Sequence, residues 1–253
     1  MTRKLIIAAQ RLVNDLAELT FAAPTTHVYN PLVYAFDPYA RYVRRYGQGH
    51  KEALFVGMNP GPFGMAQTGV PFGDIPSVRD YLHIDGDVGH PPTEHEKRPI
   101  QGFACPRVEV SGQRVWGAIA DHYGPAENFF ERFFVDNYCP LVFMEGEGGR
   151  NRTPNKLPKT ERVPLFAACD AHLRALVDAL KPRLVIGIGA FAETRAKEAL
   201  ANIPGVTVGR VLHPSPANPR ANKGWADAAR RELAALGLCE ENASEGTAQP
   251  GVR

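Results

Sequence analysis

The chain has no Cys-Xaa-Xaa-Cys pair, no apolar run long enough to cross a bilayer, and no large excess of charge of either sign. Each absence removes a class of function. The four cysteines, Cys105, Cys139, Cys169 and Cys239, lie far apart. Free thiols in a reducing compartment are therefore expected, not a zinc or iron–sulfur site built on paired thiolates. No stretch approaches the roughly 18 apolar residues that span a membrane. The amino terminus begins Met1-Thr2-Arg3-Lys4-Leu5-Ile6-Ile7, but Asn14, Asp15 and Glu18 interrupt it before any cleavage-like site. An amphipathic helix is expected there, not a signal peptide. The expectation is a soluble intracellular protein with no membrane partner, in the cytoplasm or nucleoid of a bacterium or the nucleus of a eukaryote. A formal net charge of +2 excludes a histone-like polycation, so any nucleic-acid contact has to come from local clusters. Phosphate-cradling motifs are missing too. Gly187-Ile188-Gly189 lacks the third glycine of a dinucleotide fingerprint, and no P-loop ending in Gly-Lys-Ser/Thr occurs.

What is present is an alternation of apolar strands and amphipathic helices. With 253 residues and 44% hydrophobic content, the chain can bury one substantial core. Leu5, Ala9, Leu12, Leu16 and Leu19 recur at helical spacing and predict a helix over 3–20 packed on the rest. Residues 24–50 read as loop, with Arg41, Arg44 and Arg45 on a short helix. Ala53–Met58 is the first strand. Residues 60–114 read as ordered loops broken by short helices, and 116–123 and 128–133 as helices. Phe134–Met144 reads as one buried strand interrupted by polar residues. Glu145–Lys159 reads as a loop concentrating Arg150, Arg152, Lys156 and Lys159. A helix then carries Leu165, Cys169, Leu173, Leu176 and Leu180, with Pro164 near its first turn. Strands at 184–189 and 206–212 and helices at 191–202 and 225–236 complete the pattern. It implies a mostly parallel sheet covered on both faces, in one domain over 1–240, with a polar, flexible tail over 241–253.

Two proline-stiffened loops follow strands. Gly57-Met58-Asn59-Pro60-Gly61-Pro62-Phe63-Gly64-Met65 combines close backbone approach with the single amide of Asn59, at the strand end where open α/β folds place their chemistry. His213-Pro214-Ser215-Pro216-Ala217-Asn218-Pro219 holds a histidine between a strand and a rigid turn, which over-determines the ring's position. Asn137 interrupts an apolar strand. A buried amide without partners costs about 1–3 kcal/mol, so it bonds either backbone or a ligand. His83, His90 and His95, with Asp85, Asp87 and Glu94, superficially suggest a metal site, but their irregular spacing in a polar segment predicts a solvated loop.

Taken together these residues resemble the single-strand-selective monofunctional branch of the uracil-DNA glycosylase superfamily. The resemblance rests on residues 57–73 and 213–225, supported by Val28-Tyr29-Asn30-Pro31-Leu32 and Asp136-Asn137-Tyr138-Cys139-Pro140-Leu141, and covers roughly 20–238. It implies a three-layer αβα fold around a four-stranded parallel sheet, with no metal and no cofactor. It also implies roles: Asn59 holds the attacking water, Phe72 stacks on the flipped base, Asn137 reads the uracil edge, and His213 stabilises the departing base. Main-chain groups near Met58, Gly61 and Met65 shape the pocket around the base's C5 side. The turn at Ser215, Pro216, Ala217 and Asn218, with Arg220 and Lys223, would meet DNA alongside Arg150, Arg152 and Lys156. One departure is Ala217, where some members carry a basic wedge residue; Arg220 or Asn218 would then take over. The expected partner is uracil-containing DNA, single- or double-stranded, acted on by a monomer. Rival readings are a mismatch-specific thymine or uracil glycosylase, a non-catalytic DNA-lesion binder on the same scaffold and, more remotely, a small-molecule nucleotide enzyme.

Overall fold

The computed structural model describes residues 1–238. Cys239 and the tail expected over 241–253 lie outside the described residues. Its centre is a parallel sheet of β2 (Ala53–Gly57), β3 (Phe133–Asn137), β6 (Leu184–Ile188) and β7 (Thr207–Val211), in the order β3-β2-β6-β7. The first three are buried along their whole length, which is why they read as continuous apolar runs and not as alternations. Ahead of β2 come α1 (Thr2–Ala17), β1 (Thr25–Tyr29), α2 (Pro31–Tyr34) and α3 (Phe36–Tyr46). The later elements are α4 (Met65–Thr68), α5 (Val110–Tyr123), α6 (Ala126–Arg132), β4 (Val142–Glu145), β5 (Arg150–Arg152), α7 (Lys159–Leu180), α8 (Ala190–Ala199) and α9 (Trp225–Ala235).

The period-two alternation of the strands sorts the helices into layers. Phe55, Val135, Ile188 and Val211 face α5 and α9, meeting Val115, Ile119, Trp225 and Leu233. Asp136 and Gly187 point the other way. The carboxylate of Asp136 accepts from Tyr39 of α3 and lies 3.7 Å from His172 of α7. A side chain at Gly187 would collide with the backbone of Glu193 in α8, so glycine lets that helix lie close against the sheet. The three-layer αβα expectation holds.

The structure corrects four local readings. Residues 24–50 are not mainly loop: they form β1, α2 and α3, whose tyrosines are buried and bonded, Tyr42 Oη donating to the carbonyl of Val135 at 2.8 Å. Phe134–Met144 is two strands in different sheets, because Pro140 cannot donate to a ladder. β4 joins an antiparallel sheet, β1-β4-β5, that sequence reasoning did not anticipate. Helix α7 begins at Lys159, so Pro164 lies inside it and removes one intrahelical bond. Finally, His95 is buried, not solvated; its Nε2 lies 3.0 Å from the carbonyl of Gly146 and its Nδ1 accepts from Lys97 N–H.

Candidate active site

The carboxyl ends of β2, β3 and β7 open into one cleft of about 320 Å³. Register sets its floor. Gly57 pairs with Asn137 across β2 and β3, so the loop beginning at Met58 starts beside the Asn137 carboxamide. Asn137 is buried; its backbone N–H donates to Asp136 Oδ1 at 2.8 Å and its Nδ2 lies 3.2 Å from Met65 Sδ at the start of α4. A side chain at Gly57 would strike both Asn137 Oδ1 and the Phe72 ring. Phe72 itself has φ +53°, the left-handed region that costs a non-glycine residue about 1–3 kcal/mol. That conformation is held through its carbonyl, which accepts from Trp116 Nε1 at 3.1 Å and from Asp74 N–H at 2.7 Å.

Asn59 has its amide orientation fixed by the Leu141 carbonyl, which can only accept; Nδ2 donates to it at 3.1 Å. Oδ1 is thereby turned the other way, buried and without a partner among the described residues. An unmatched acceptor of that kind costs about 1–3 kcal/mol and calls for a functional explanation. In the same cleft, just after β7, His213 Nδ1 accepts from Ser215 N–H at 3.1 Å. In the neutral ring the proton therefore sits on Nε2. Burial lowers the pKa of His213, which favours that neutral form. The histidine loop is stapled from outside. Arg114 donates to the Pro214 carbonyl and to Asn222 Oδ1, Asn222 donates to the Pro216 carbonyl, and Trp225 Nε1 donates to the Leu212 carbonyl.

Of the residues singled out in the sequence, Met58, Asn59, Gly61, Met65, Phe72, Asn137, His213, Ser215 and Pro216 line this one cleft. Arg150, Arg152, Lys156, Ala217, Asn218, Arg220 and Lys223 do not. Arg150 and Arg152 both pair with Glu145, and Arg152 also donates to the Lys156 carbonyl. The expected concentration of positive charge is thus partly neutralised in place. Asn218 Oδ1 accepts from Arg220 N–H, and the exposed Arg220 guanidinium lies 3.9 Å from Glu232.

Four lining residues were not anticipated: Glu109, Ser111, Asn151 and Thr153. Asn151 and Thr153 arrive on and just after β5. Glu109 lies against the backbone of the first loop, where a Cβ at Gly61 would meet its carboxyl and one at Gly64 would meet its Cγ at 2.8 Å. Burial raises the Glu109 pKa, with Asp74 adding to the rise and a hydrogen bond from the Ser111 backbone opposing it. Among the described residues, no three His, Cys, Asp or Glu side chains cluster as metal ligands.

On this α/β scaffold a histidine, three asparagine carboxamides and a phenylalanine line one cleft at the strand ends. Residues 44–234 match the family model described as the uracil DNA glycosylase superfamily. The chain is 52% identical over 241 residues to the single-strand selective monofunctional uracil-DNA glycosylase of Rattus norvegicus, covering 95% of this chain and 86% of that protein. It is 51% identical over 229 residues to the single-strand selective monofunctional uracil DNA glycosylase of Bos taurus, covering 90% and 84% respectively. The crystal structure of wild-type SMUG2 from Pedobacter heparinus shares the fold at 17% identity, with a TM-score of 0.64 over 91% of this chain and 97% of that one. The chain belongs to the uracil DNA glycosylase superfamily.

Proposed function

We propose that this protein is a monofunctional DNA glycosylase that hydrolyses the N-glycosidic bond of uracil and related damaged bases in DNA, the first step of base excision repair. The observation that carries the reading is that Asn59, whose Oδ1 has no partner among the described residues, and His213, whose Nδ1 is already engaged, line one cleft.

Excision first requires the nucleotide to leave the stack, at a cost of a few kcal/mol that is least for single-stranded or mismatched bases. Stacking on Phe72 returns about 1–3 kcal/mol without selectivity, since every base has a π-face. Selectivity falls to Asn137, whose carboxamide can donate to uracil O4 and accept from N3–H; cytosine presents the opposite pattern. A site built for one such pattern rejects its mismatch by about 10⁴-fold or more. As the bond breaks, negative charge develops on the base, and His213 Nε2–H is the donor placed to meet it, a contribution of about 3–4 kcal/mol. Asn59 Oδ1 accepts from the attacking water and orients it; an amide has no proton to titrate, so leaving-group stabilisation carries more of the rate than water activation. Among the described residues no lysine lines the cleft, which supports direct hydrolysis without a Schiff base.

The test is a panel of oligonucleotides, each with one lesion, in single- and double-stranded form. Release of free uracil, with no borohydride-trapped adduct, is expected. Thymine excision confined to mismatched duplexes would instead favour a mismatch-specific enzyme, and tight binding without any excision would favour a lesion binder.

A further inference from the structure

The cations that sequence reasoning assigned to DNA are in part spoken for, whereas another group beside the cleft is not. Phe63, in the loop between Gly61 and Gly64, carries the guanidinium of Arg107 over its ring at 4.6 Å and that of Arg98 at 5.3 Å. Arg98 is anchored, donating to the carbonyls of Gly149 and Lys97. It thereby ties the first loop to the β4–β5 turn, whose strand brings Asn151 to the cleft. Arg107 is exposed and makes no ion pair with a described residue. Its near neighbour Glu109 turns its carboxyl toward Gly61 instead. Pro62 and Glu109, which flank this stack in sequence, both line the cleft. The stack therefore sits at the rim. A planar cation fixed on an aromatic ring, solvent-facing and free of carboxylates, suits a phosphodiester: its geometry is set before the anion arrives and no resident acid competes.

We propose that Arg107, held on Phe63 and backed by Arg98, forms a ledge that binds a backbone phosphate of the target strand beside the everted nucleotide. The inference rests on the reading of the chain as a DNA-acting enzyme. It is tested by fluorescence anisotropy on a uracil-free single-stranded oligonucleotide between 50 and 200 mM salt, using wild type, Arg107→Gln, Arg107→Lys, Phe63→Leu and, as a control on α1, Arg3→Gln. Loss of one phosphate contact should lower the slope of log affinity against log salt by about 0.7 in Arg107→Gln. Affinity at low salt should fall about two- to fivefold, the range of an exposed charge pair. Arg107→Lys should keep the slope. Phe63→Leu should lose part of the affinity because the guanidinium is no longer fixed, and Arg3→Gln should match wild type.

An Arg107→Gln slope equal to wild type overturns the ledge, as does an equal loss in Arg3→Gln, which would mean a diffuse field. Uracil excision by the wild-type protein is measured alongside. Excision with an unchanged slope removes the ledge and leaves the glycosylase reading intact; a lowered slope without excision does the reverse.

Discussion

Replacing Gly57 with alanine adds one methyl group where two cleft side chains close over the end of β2. The backbone there is ordinary strand, so alanine meets no conformational objection; the objection is spatial. The new Cβ would lie 2.8 Å from Phe72 Cε2 and closer still to Asn137 Oδ1, about 1 Å or more short of a comfortable contact. The strand cannot retreat, because Gly57 is paired with Asn137 and its carbonyl accepts from Tyr138 N–H at 2.9 Å. The side chains must give instead, and Asn137 moves at the expense of its contact with Met65. Overpacking of this kind costs about 1–3 kcal/mol, of which a stiffer unfolded chain returns about 0.4–1 kcal/mol. The fold should survive with a modestly lower melting temperature. Catalysis should suffer more, since a misplacement near 1 Å can cost about 10²-fold. The assay is single-turnover excision from a single-stranded uracil oligonucleotide, with thermal denaturation in parallel. Gly117→Ala is the control: a Cβ there meets nothing within 4 Å, and in the interior of α5 it should stabilise by roughly 0.5–1 kcal/mol with activity unchanged. A Gly57→Ala enzyme with wild-type rate and selectivity would refute the assignment of Asn137 and Phe72 as the base-holding pair.

Three further outcomes are expected. His213→Ala should reduce single-turnover excision about 10²–10³-fold and by more than Asn59→Ala does; the opposite ranking would make water activation the larger contribution. Glu109→Gln should gain stability over wild type as pH rises. The folded-state pKa is raised above its ordinary 4.5, so the stability this group contributes is fully present below 4.5 and is lost as pH climbs through the folded value. The melting difference between variant and wild type should thus grow from pH 4.5 upward and then level off; a pH-independent difference would reject a buried carboxyl. Asp136→Ala should destabilise strongly by orphaning the Asn137 N–H and the Tyr39 hydroxyl, each unmatched buried donor costing about 1–3 kcal/mol; chemical denaturation measures it.

What the sequence made legible, and what it hid, follows from whether a feature is local. The strand β2 and its loop could be read because a buried parallel strand is a bare apolar run and the glycines and prolines after it are its own punctuation. Helices α1 and α7 could be read from the helical spacing of their apolar residues. That the two proline-stiffened loops line one cleft is hard to read locally, since nothing in either loop says that residues 59 and 213 end in the same place. The antiparallel sheet was hidden because β1, β4 and β5 are short and the β1–β4 pairing is long-range; Pro140 was the available sign that Phe134–Met144 could not be a single strand. Arg150 and Arg152 looked like free cations because their neutralisation depends on hairpin register, which places Glu145 opposite Arg150 and Phe143 opposite Arg152.

Glu109 and Arg107 are the sharper case, for no motif surrounds either. The segment carrying them lies along the first loop, the Glu109 carboxyl against Gly61 and the Arg107 guanidinium over Phe63. The glycines, which in sequence announce room for a ligand, in the structure also make room for a carboxyl. The phenylalanine between them, which reads as loop packing, presents a cation. One loop therefore serves two purposes. Its inner face shapes the pocket and its outer face meets the strand, so substitutions at 61–64 should disturb base recognition and backbone binding together, while substitutions at 213–216 should disturb chemistry with less effect on the salt dependence of binding.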